Sequence, residues 1–406
     1  MHPCPAHTLL DLDVFARGTP RDTIDRLREQ HRILWEPDGF ATGGHWLLFR
    51  QEDIDHVLKT PELFSSGFGP LLDDFPPELL VEQQKSMTFM DPPLHRKYRG
   101  LVDHAFRLKS LEAREGGMRR IATGIVDTVI DKGRCEFISE VATQLPMRVM
   151  YDLLGVEVAD YRYVADLTNT LALADDPDFA ENRAAGFHAS LALIEFGTRL
   201  AADHRRNARD SLTMEVLGAE IDGERITDRE FGCMFNNLIV GGMETTRNTL
   251  ALGIHQFILQ PDQYRLLEQD PELVPAAVEE ILRYRNTVIY LRRTATKDLE
   301  LAGEQIRKGD KLVCILGAPN RDPDFFEEPD RFDIRRPLQN TRKHYRTFGQ
   351  GGHYCVGVHQ ARLNLKVMLE EIIRRMTNFR LLAEPRYARS IFMDGFKEMH
   401  VAFDKR

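Results

Sequence analysis

Between Thr347 and Arg362 four glycines (Gly349, Gly351, Gly352 and Gly357) crowd one cysteine, Cys355, and a helical pattern begins at once afterwards. Glycine tolerates positive φ and lets another group come close to the backbone. Such a segment can only be a tight loop that presents sulfur near a helix N-terminus, where backbone N–H groups and the helix dipole favour a thiolate. A thiolate so placed can be a nucleophile, a zinc ligand or an axial ligand to haem iron. The rest of the chain has to fit one of these.

Composition removes several classes of function. The chain has 406 residues, 42% of them hydrophobic and 29% charged, as expected of a globular protein with an ample core. A net charge of −9 argues against nucleic acid as a partner, whose binding proteins are usually basic. No apolar run approaches the roughly 18 to 20 residues that span a bilayer, so no membrane anchor is expected. The start, Met1 to His7, has no basic stretch followed by an apolar one and does not resemble a secretory signal. Five scattered cysteines (Cys4, Cys135, Cys233, Cys314 and Cys355) suit a reducing compartment, and the expected location is the cytoplasm.

Taken in order, the pattern predicts a helix over Pro20–His31, a hairpin from Ile33–Glu36 and His45–Arg50 with Gly39, Gly43 and Gly44 between, and a helix over Gln51–Lys59. From Phe64 to Thr88 there is no clear period, which reads as a long functional loop. Pro92–Phe106 reads as a helix with His95 and Arg99 on one face, whose plain reading is a solvated basic surface. Leu111–Ala219 is mostly helical, and Asp222-Gly223 marks a turn. Thr227 with Glu230 forms a capping box that opens a helix running from about Asp228 to Leu259. Inside that helix Gly241 and Gly242 cost roughly 1 kcal/mol each relative to alanine. Close helix packing would explain them. So would a kink, beside an acid (Glu244) and an alcohol (Thr245) whose hydroxyl can bond the Gly241 carbonyl. Glu280 and Arg283 pair on a further helix, Pro271–Tyr284, followed by short strands at Val288–Arg293, Leu299–Leu301 and Lys311–Ile315. After the cysteine loop come a helix over Val358–Met376 and strands at Phe379–Leu382 and Met399–Phe403.

The cysteine can now be weighed. Zinc wants a second ligand pair, and His353 with Cys355 has none. No phosphate-loop or dinucleotide fingerprint fits the glycines. A nucleophile lacks nominated partners, and a buried structural cysteine remains the plain alternative. Thiolate-ligated haem accounts for more features together: one cysteine, cations, an apolar pocket, and an acid beside an alcohol.

The motifs resemble those of soluble bacterial cytochromes P450 over essentially the whole chain. Phe348-Gly-Gln-Gly-Gly-His353-Tyr-Cys355-Val-Gly357 matches the family's haem loop, and Gly241-Gly-Met-Glu244-Thr245-Thr246 its oxygen-activating helix. Glu280-x-x-Arg283 matches the family's structural pair, with Arg331 of Pro-Asp-Arg-Phe332 at the expected place of its third member. His95-x-x-x-Arg99 and Arg293 match its propionate-binding positions. The resemblance implies a mainly α fold with a minor β region: one triangular domain over 1–406, β-rich at about 33–50, 288–315 and 379–403, with a long helix crossing the haem. It implies haem b (iron protoporphyrin IX) with Cys355 as iron ligand. His95, Arg99, Arg293 and His353 would hold the propionates, Phe348 would pack beside the sulfur, and Gly349, Gly241 and Gly242 would make room for the ring and for dioxygen. Thr245 and Glu244 would guide protons.

The same resemblance implies a monooxygenase that hydroxylates an unactivated C–H bond using O2 and two electrons, with a haem-thiolate isomerase, peroxygenase, sensor or natural-product tailoring oxidase as alternatives. No flavin or iron–sulfur segment is present, so the expected donor is a [2Fe-2S] or similar acidic ferredoxin with its NAD(P)H-dependent reductase. It would dock on Arg96, Lys97, Arg107, Lys109, Arg342, Lys343 and Arg346. The protein itself is expected to be a monomer. Candidate pocket residues are Phe68, Leu72, Phe75, Phe89, Leu171, Leu173, Val240, Ile289, Leu291 and Phe392. All are apolar, so a hydrophobic substrate is expected. Glu244–Asn248 and Arg293-Thr-Ala resemble members that hydroxylate steroid side chains or branched isoprenoid lipids, while terpenoids and fatty acids stay open.

Overall fold

The computed structural model of the protein describes residues 9–37, 43–180 and 183–406; Met1–His7, including Cys4, and Gly39 lie outside the described residues. Its longest helix is Asp228–Leu259, opened by the expected capping box: Glu230 N donates to Thr227 Oγ1 at 3.2 Å and Thr227 N to Glu230 Oε2 at 2.7 Å. Most residues from Phe231 to Phe257 are buried, because the helix is apolar on nearly every side and runs through the protein's middle. It packs on Gln144–Leu154, Tyr161–Ala172, Arg183–Arg206 and Val358–Arg375. Gly232 allows one of these crossings, since a Cβ there would come within 2.4 Å of the Ile194 carbonyl oxygen.

A five-stranded sheet lies beside the helices in the order Ile33–Glu36, His45–Leu48, Lys311–Ile315, Tyr290–Ala295, Phe64–Ser65. All neighbours are antiparallel except Lys311–Ile315 with His45–Leu48. A second sheet joins Met376–Leu381, His400–Lys405 and Arg134–Glu136. This last strand, with Phe64–Ser65 and the hairpin Glu220–Ile221/Glu224–Arg225, falls outside the expected β-rich stretches. Each is only two or three residues long, too short to show an alternating pattern. The stretch 64–88 is also not all loop, because Pro77–Gln83 is helical with Pro77 at its first position.

The helix Val274–Tyr284 fixes the segments around the cysteine loop. Glu280 and Arg283 are both fully buried and joined by two bonds, Arg283 Nε to Glu280 Oε2 at 2.7 Å and Nη2 to Oε1 at 2.8 Å. Arg283 also donates to the carbonyls of Asn320, Pro329 and Arg331. The third member is not Arg331, whose side chain is about half exposed and pairs with Glu328. Arg336 takes that role: its Nε donates to Glu280 Oε1 at 3.2 Å, and its other nitrogens reach the carbonyls of Glu327, Glu328 and Arg331. The reason is a contact between residues far apart in the chain. Asp333 N also donates to Glu280 Oε1, which turns the chain so that Arg336 points inward. Replacing Arg336 with Ala is therefore expected to destabilise the fold by about 2–4 kcal/mol, because it weakens the pairing of a buried carboxylate. Arg331→Ala should cost under about 0.5 kcal/mol. Urea unfolding of both variants checks this.

Candidate functional site

The cysteine loop leaves the segment 338–344 and enters the helix Val358–Arg375. Gly349 and Gly351 take φ of +67° and +74°, and a Cβ on Gly351 would sit 2.2 Å from the Leu58 carbonyl oxygen, so only glycine fits there. Cys355 N donates to the Phe348 carbonyl at 3.1 Å, closing the turn around the sulfur. Burial pushes the Cys355 thiol up, against the backbone N–H of Gly357 and the charges of Arg99 and Arg362, which pull it down. The loop is clamped from outside. Thr347 donates to the Leu282 carbonyl, and Arg346 makes two bonds to Asp55 at 2.5 and 2.9 Å. Arg362 lies 5.2 Å over the Phe348 ring and pairs with Glu279 at 2.8 Å. Glu279 also meets Arg342 and the Tyr345 hydroxyl. No motif in the sequence marks this acid. The signal available was its place beside Glu280, with three basic or phenolic groups near the cysteine.

The four residues expected to hold the propionates come together beside this loop. His95 and His353 face each other with ring centres 3.9 Å apart and planes tilted by 31°. Arg99 donates to the carbonyls of Tyr354 at 2.5 Å and Gly352 at 3.2 Å. Arg293 is buried with the Arg292 carbonyl as its bonding partner, at 2.8 Å, and among the described residues it makes no ion pair. His95 Nδ1 is buried without a hydrogen-bond partner. Burial and the neighbouring guanidiniums push His95 down to about 4 and His353 to about 2, so both are neutral near pH 7. A buried guanidinium without an acid and an unsatisfied imidazole nitrogen beside a glycine-lined thiol fit a flat ligand carrying carboxylates.

On the long helix, Thr245 Oγ1 donates to the Gly241 carbonyl at 2.9 Å, as the spacing predicts. The helix stays α-helical through the glycine pair, without a bulge. The two glycines do different work. A Cβ on Gly242 would come within 2.7 Å of Met150 Sδ, whereas Gly241 is exposed in the middle of a buried helix and faces open space. Glu244 is buried and ion-paired with Arg247; burial raises its carboxyl, and Arg247 lowers it.

The apolar candidates divide. Phe75 meets Phe89 at 5.3 Å and Phe187 at 5.2 Å between ring centres. Phe187, on the helix Arg183–Arg206, was not foreseen, since one aromatic in a long apolar helix reads as core. Leu171 and Val240 pack at the edge of one core cluster, and Leu291 lies against Gly349 of the cysteine loop. Leu173 is buried. Leu72, Ile289 and Phe392 instead join a cluster with Leu9, Phe15 and Val313 under the N-terminal helices. Phe68 departs furthest from expectation: it is 44% exposed and lies over the Arg292 guanidinium.

A sequence description named Cytochrome P450 matches residues 184–388. A methyl-branched lipid omega-hydroxylase of Mycobacterium tuberculosis is 34% identical over 93% of this chain and 89% of its own. The chain belongs to the cytochrome P450 family. A steroid C26-monooxygenase of Rhodococcus jostii is 31% identical over 97% of this P450 and 84% of its own length. The crystal structure of a Mycobacterium marinum cytochrome P450 in complex with pseudoionone superposes with a TM-score of 0.88 at 32% identity, covering 96% of each chain. The protein is thus a P450 monooxygenase, an oxidoreductase whose cofactor is haem b on a thiolate-ligated iron. Among the described residues no helix is long and apolar enough to cross a membrane. Arg293→Met is expected to lower the haem retained through purification by about tenfold, while the haem-free chain should be no less stable, because an uncompensated buried charge has been removed. The Soret-to-280 nm absorbance ratio and apoprotein melting check both halves.

Proposed function

We propose that this P450 hydroxylates an unactivated C–H bond of a hydrophobic aliphatic molecule of the steroid, branched-lipid or terpenoid kind, with Cys355 as iron ligand. His95, Arg99, Arg293 and His353 would hold the propionates, with Phe348 and Gly349 at the loop's ring-facing side. The haem supplies the activation of dioxygen. The chain's own residues do the rest. Thr245 keeps its hydroxyl proton engaged on Gly241 and its oxygen free to accept. Glu244 beside it is a buried acid whose carboxyl burial raises while Arg247 pulls it down, so the pair can hold and pass protons. Phe75, Phe89, Leu171, Val240 and Leu291 exclude water and grip an aliphatic ligand by contact.

The observation that carries the substrate reading is the ring cluster of Phe75, Phe89 and Phe187, which brings the 64–88 segment against the helix Arg183–Arg206 through aromatic contact. Relatives named as a methyl-branched lipid omega-hydroxylase, a steroid C26-monooxygenase and a linalool 8-monooxygenase act on molecules of this polarity. Titration of the purified holoenzyme with a steroid, a methyl-branched fatty acid and a terpenoid alcohol should give a low- to high-spin shift with at least one of them. With that ligand, Thr245→Ala should keep the shift yet lower product formed per NAD(P)H by about tenfold. Unchanged coupling would remove Thr245 from proton delivery.

The electron donor we propose is an acidic [2Fe-2S] or similar ferredoxin with its reductase. Arg99 ties the helix Leu94–Asp103 to the cysteine loop, so the exposed cations on and after it border that loop. Arg96, Arg107, Lys109 and Lys343 are exposed there, with Leu94 and Leu108 at 45% and 58% exposure among them. Arg346 leaves the expected set, being buried on Asp55. Ferredoxin-dependent reduction should slow steeply as salt rises past the level where the Debye length falls to about 8 Å, whereas a salt-independent rate would overturn this docking face.

A further inference from the structure

We propose that Asn237, on the long helix, is a specificity-determining residue whose side-chain amide donates to a neutral oxygen of the substrate. The molecule taken would then be aliphatic, with a ketone or hydroxyl set some way from the carbon that is oxidised. The inference deepens the aliphatic-substrate reading given above and rests on it.

Between Phe231 and Phe257 every residue of the long helix is buried except Asn237, Val240, Gly241, Gly242 and Thr245. Asn237, Gly241 and Thr245 recur at four-residue spacing, with Val240 beside them, so they share one face. Gly241 keeps that face open, since a Cβ there would meet nothing. A substrate can lie along this stripe, with Thr245 at one end and Asn237 about 12 Å away along the axis. Val240 is apolar and the glycines carry no side chain. Asn237 is therefore the polar group of the stripe away from the acid–alcohol end.

Two hydroxyls orient its amide. Ser86 Oγ donates to Asn237 Oδ1 at 2.5 Å, and Thr88 Oγ1 donates to the same oxygen. Both belong to the turn at Met87–Phe89 and the residue before it, next to Phe89 of the ring cluster. The oxygen is thereby committed to the protein and Nδ2 is turned away from the hydroxyls. Among the described residues Nδ2 donates to no acceptor. A donor left unpaired in apolar surroundings is costly, so a site that bonds one oxygen rejects the analogue lacking it. The amide is uncharged and suits a ketone or hydroxyl oxygen. A carboxylate would need a cation, which the stripe does not carry.

An asparagine that only tied the 86–89 turn to the helix would use its oxygen alone. Asn237→Asp separates the two roles, because an ionised carboxylate still accepts both hydroxyls but donates nothing. Spin-shift titrations of the holoenzyme test this with dodecane against the positional isomers of dodecanone, and androstane against its ketones. In the wild type at least one ketone should bind about tenfold tighter than its parent hydrocarbon. Asn237→Leu, and Asn237→Asp at alkaline pH, should each bring that ratio to about one. With the preferred ketone, oxidation should fall on one carbon in the wild type and spread over several in Asn237→Leu. Ser86→Ala with Thr88→Val, which frees the amide to turn, should narrow the ratio without abolishing it. If Asn237→Leu folds poorly, Asn237→Asp, of the same size, carries the test. Equal binding of ketones and hydrocarbons in the wild type, or a preference unchanged in the Asn237 variants, would overturn the inference alone. No spin shift with any of these molecules would instead overturn the aliphatic-substrate reading beneath it.

Discussion

Glu279 and Glu280 are neighbours on one helical turn, and both carboxylates are withdrawn from water. Removing a charge from water costs several kcal/mol, recovered only through close, well-formed partners. The two acids point to different partners. Glu280 takes Arg283, Arg336 and the Asp333 N–H, and so fixes the chain that leads into the cysteine loop. Glu279 takes Arg342 and Tyr345 before the cysteine and Arg362 after it, spanning the loop itself. Loss of any one partner leaves part of a buried charge exposed to its full desolvation cost, so neither network can relax piecemeal. This turn of helix thus holds both flanks of the loop that carries Cys355.

The long helix shows which features a sequence can carry. Thr227, Glu230 and Leu259 mark its ends correctly because capping and chain breaks are decided by residues within a few positions of one another. The Thr245 bond to Gly241 was legible for the same reason. Arg331 against Arg336 was not. Both are arginines near the same proline, and only the Asp333 N–H on Glu280, a contact over 53 positions, decides which one turns inward. The adjacent glycines looked like one feature but are two. Gly242 makes room for Met150, from another helix, while Gly241 faces open space. Short strands such as Arg134–Glu136 were hidden because they exist only through pairing with His400–Lys405, far along the chain.

Three of the apolar candidates lie in a different cluster for a related reason. Leu72 was expected from its place in the 64–88 stretch and Ile289 and Phe392 from the family layout, and neither says on which side of a sheet a side chain falls. In the strand Tyr290–Ala295, Arg292 reaches the carbonyls of Leu71 and Leu72 while Leu291 lies against Gly349. Alternation of successive side chains thus sends one set toward the 64–88 segment and the other toward the cysteine loop. A one-position error in assigning faces moves a residue from one cluster to the other.

Magnitudes also decide which half of the molecule can move. Around Cys355 the restraints are buried, multiple and shared, so opening one loses several at once. On the substrate side the restraints are spread over separate places. Asp74 holds Arg292 at 2.6 Å and Lys311 at 3.0 Å, Asp176 holds Lys397 at 3.1 Å, and Arg247 holds Asn169 at 2.8 Å. A single bond to a charged group is worth about 1.5–3 kcal/mol net, and an aromatic contact such as Phe75 on Phe187 about 0.5–1.5. An aliphatic ligand entering between those rings replaces ring–ring contact with ring–ligand contact, so part of the cost is returned as it binds. Motion on the substrate side can therefore proceed one joint at a time while the cysteine side stays fixed. That asymmetry is what an enzyme needs if it must keep its cofactor rigid and still admit bulky, uncharged molecules.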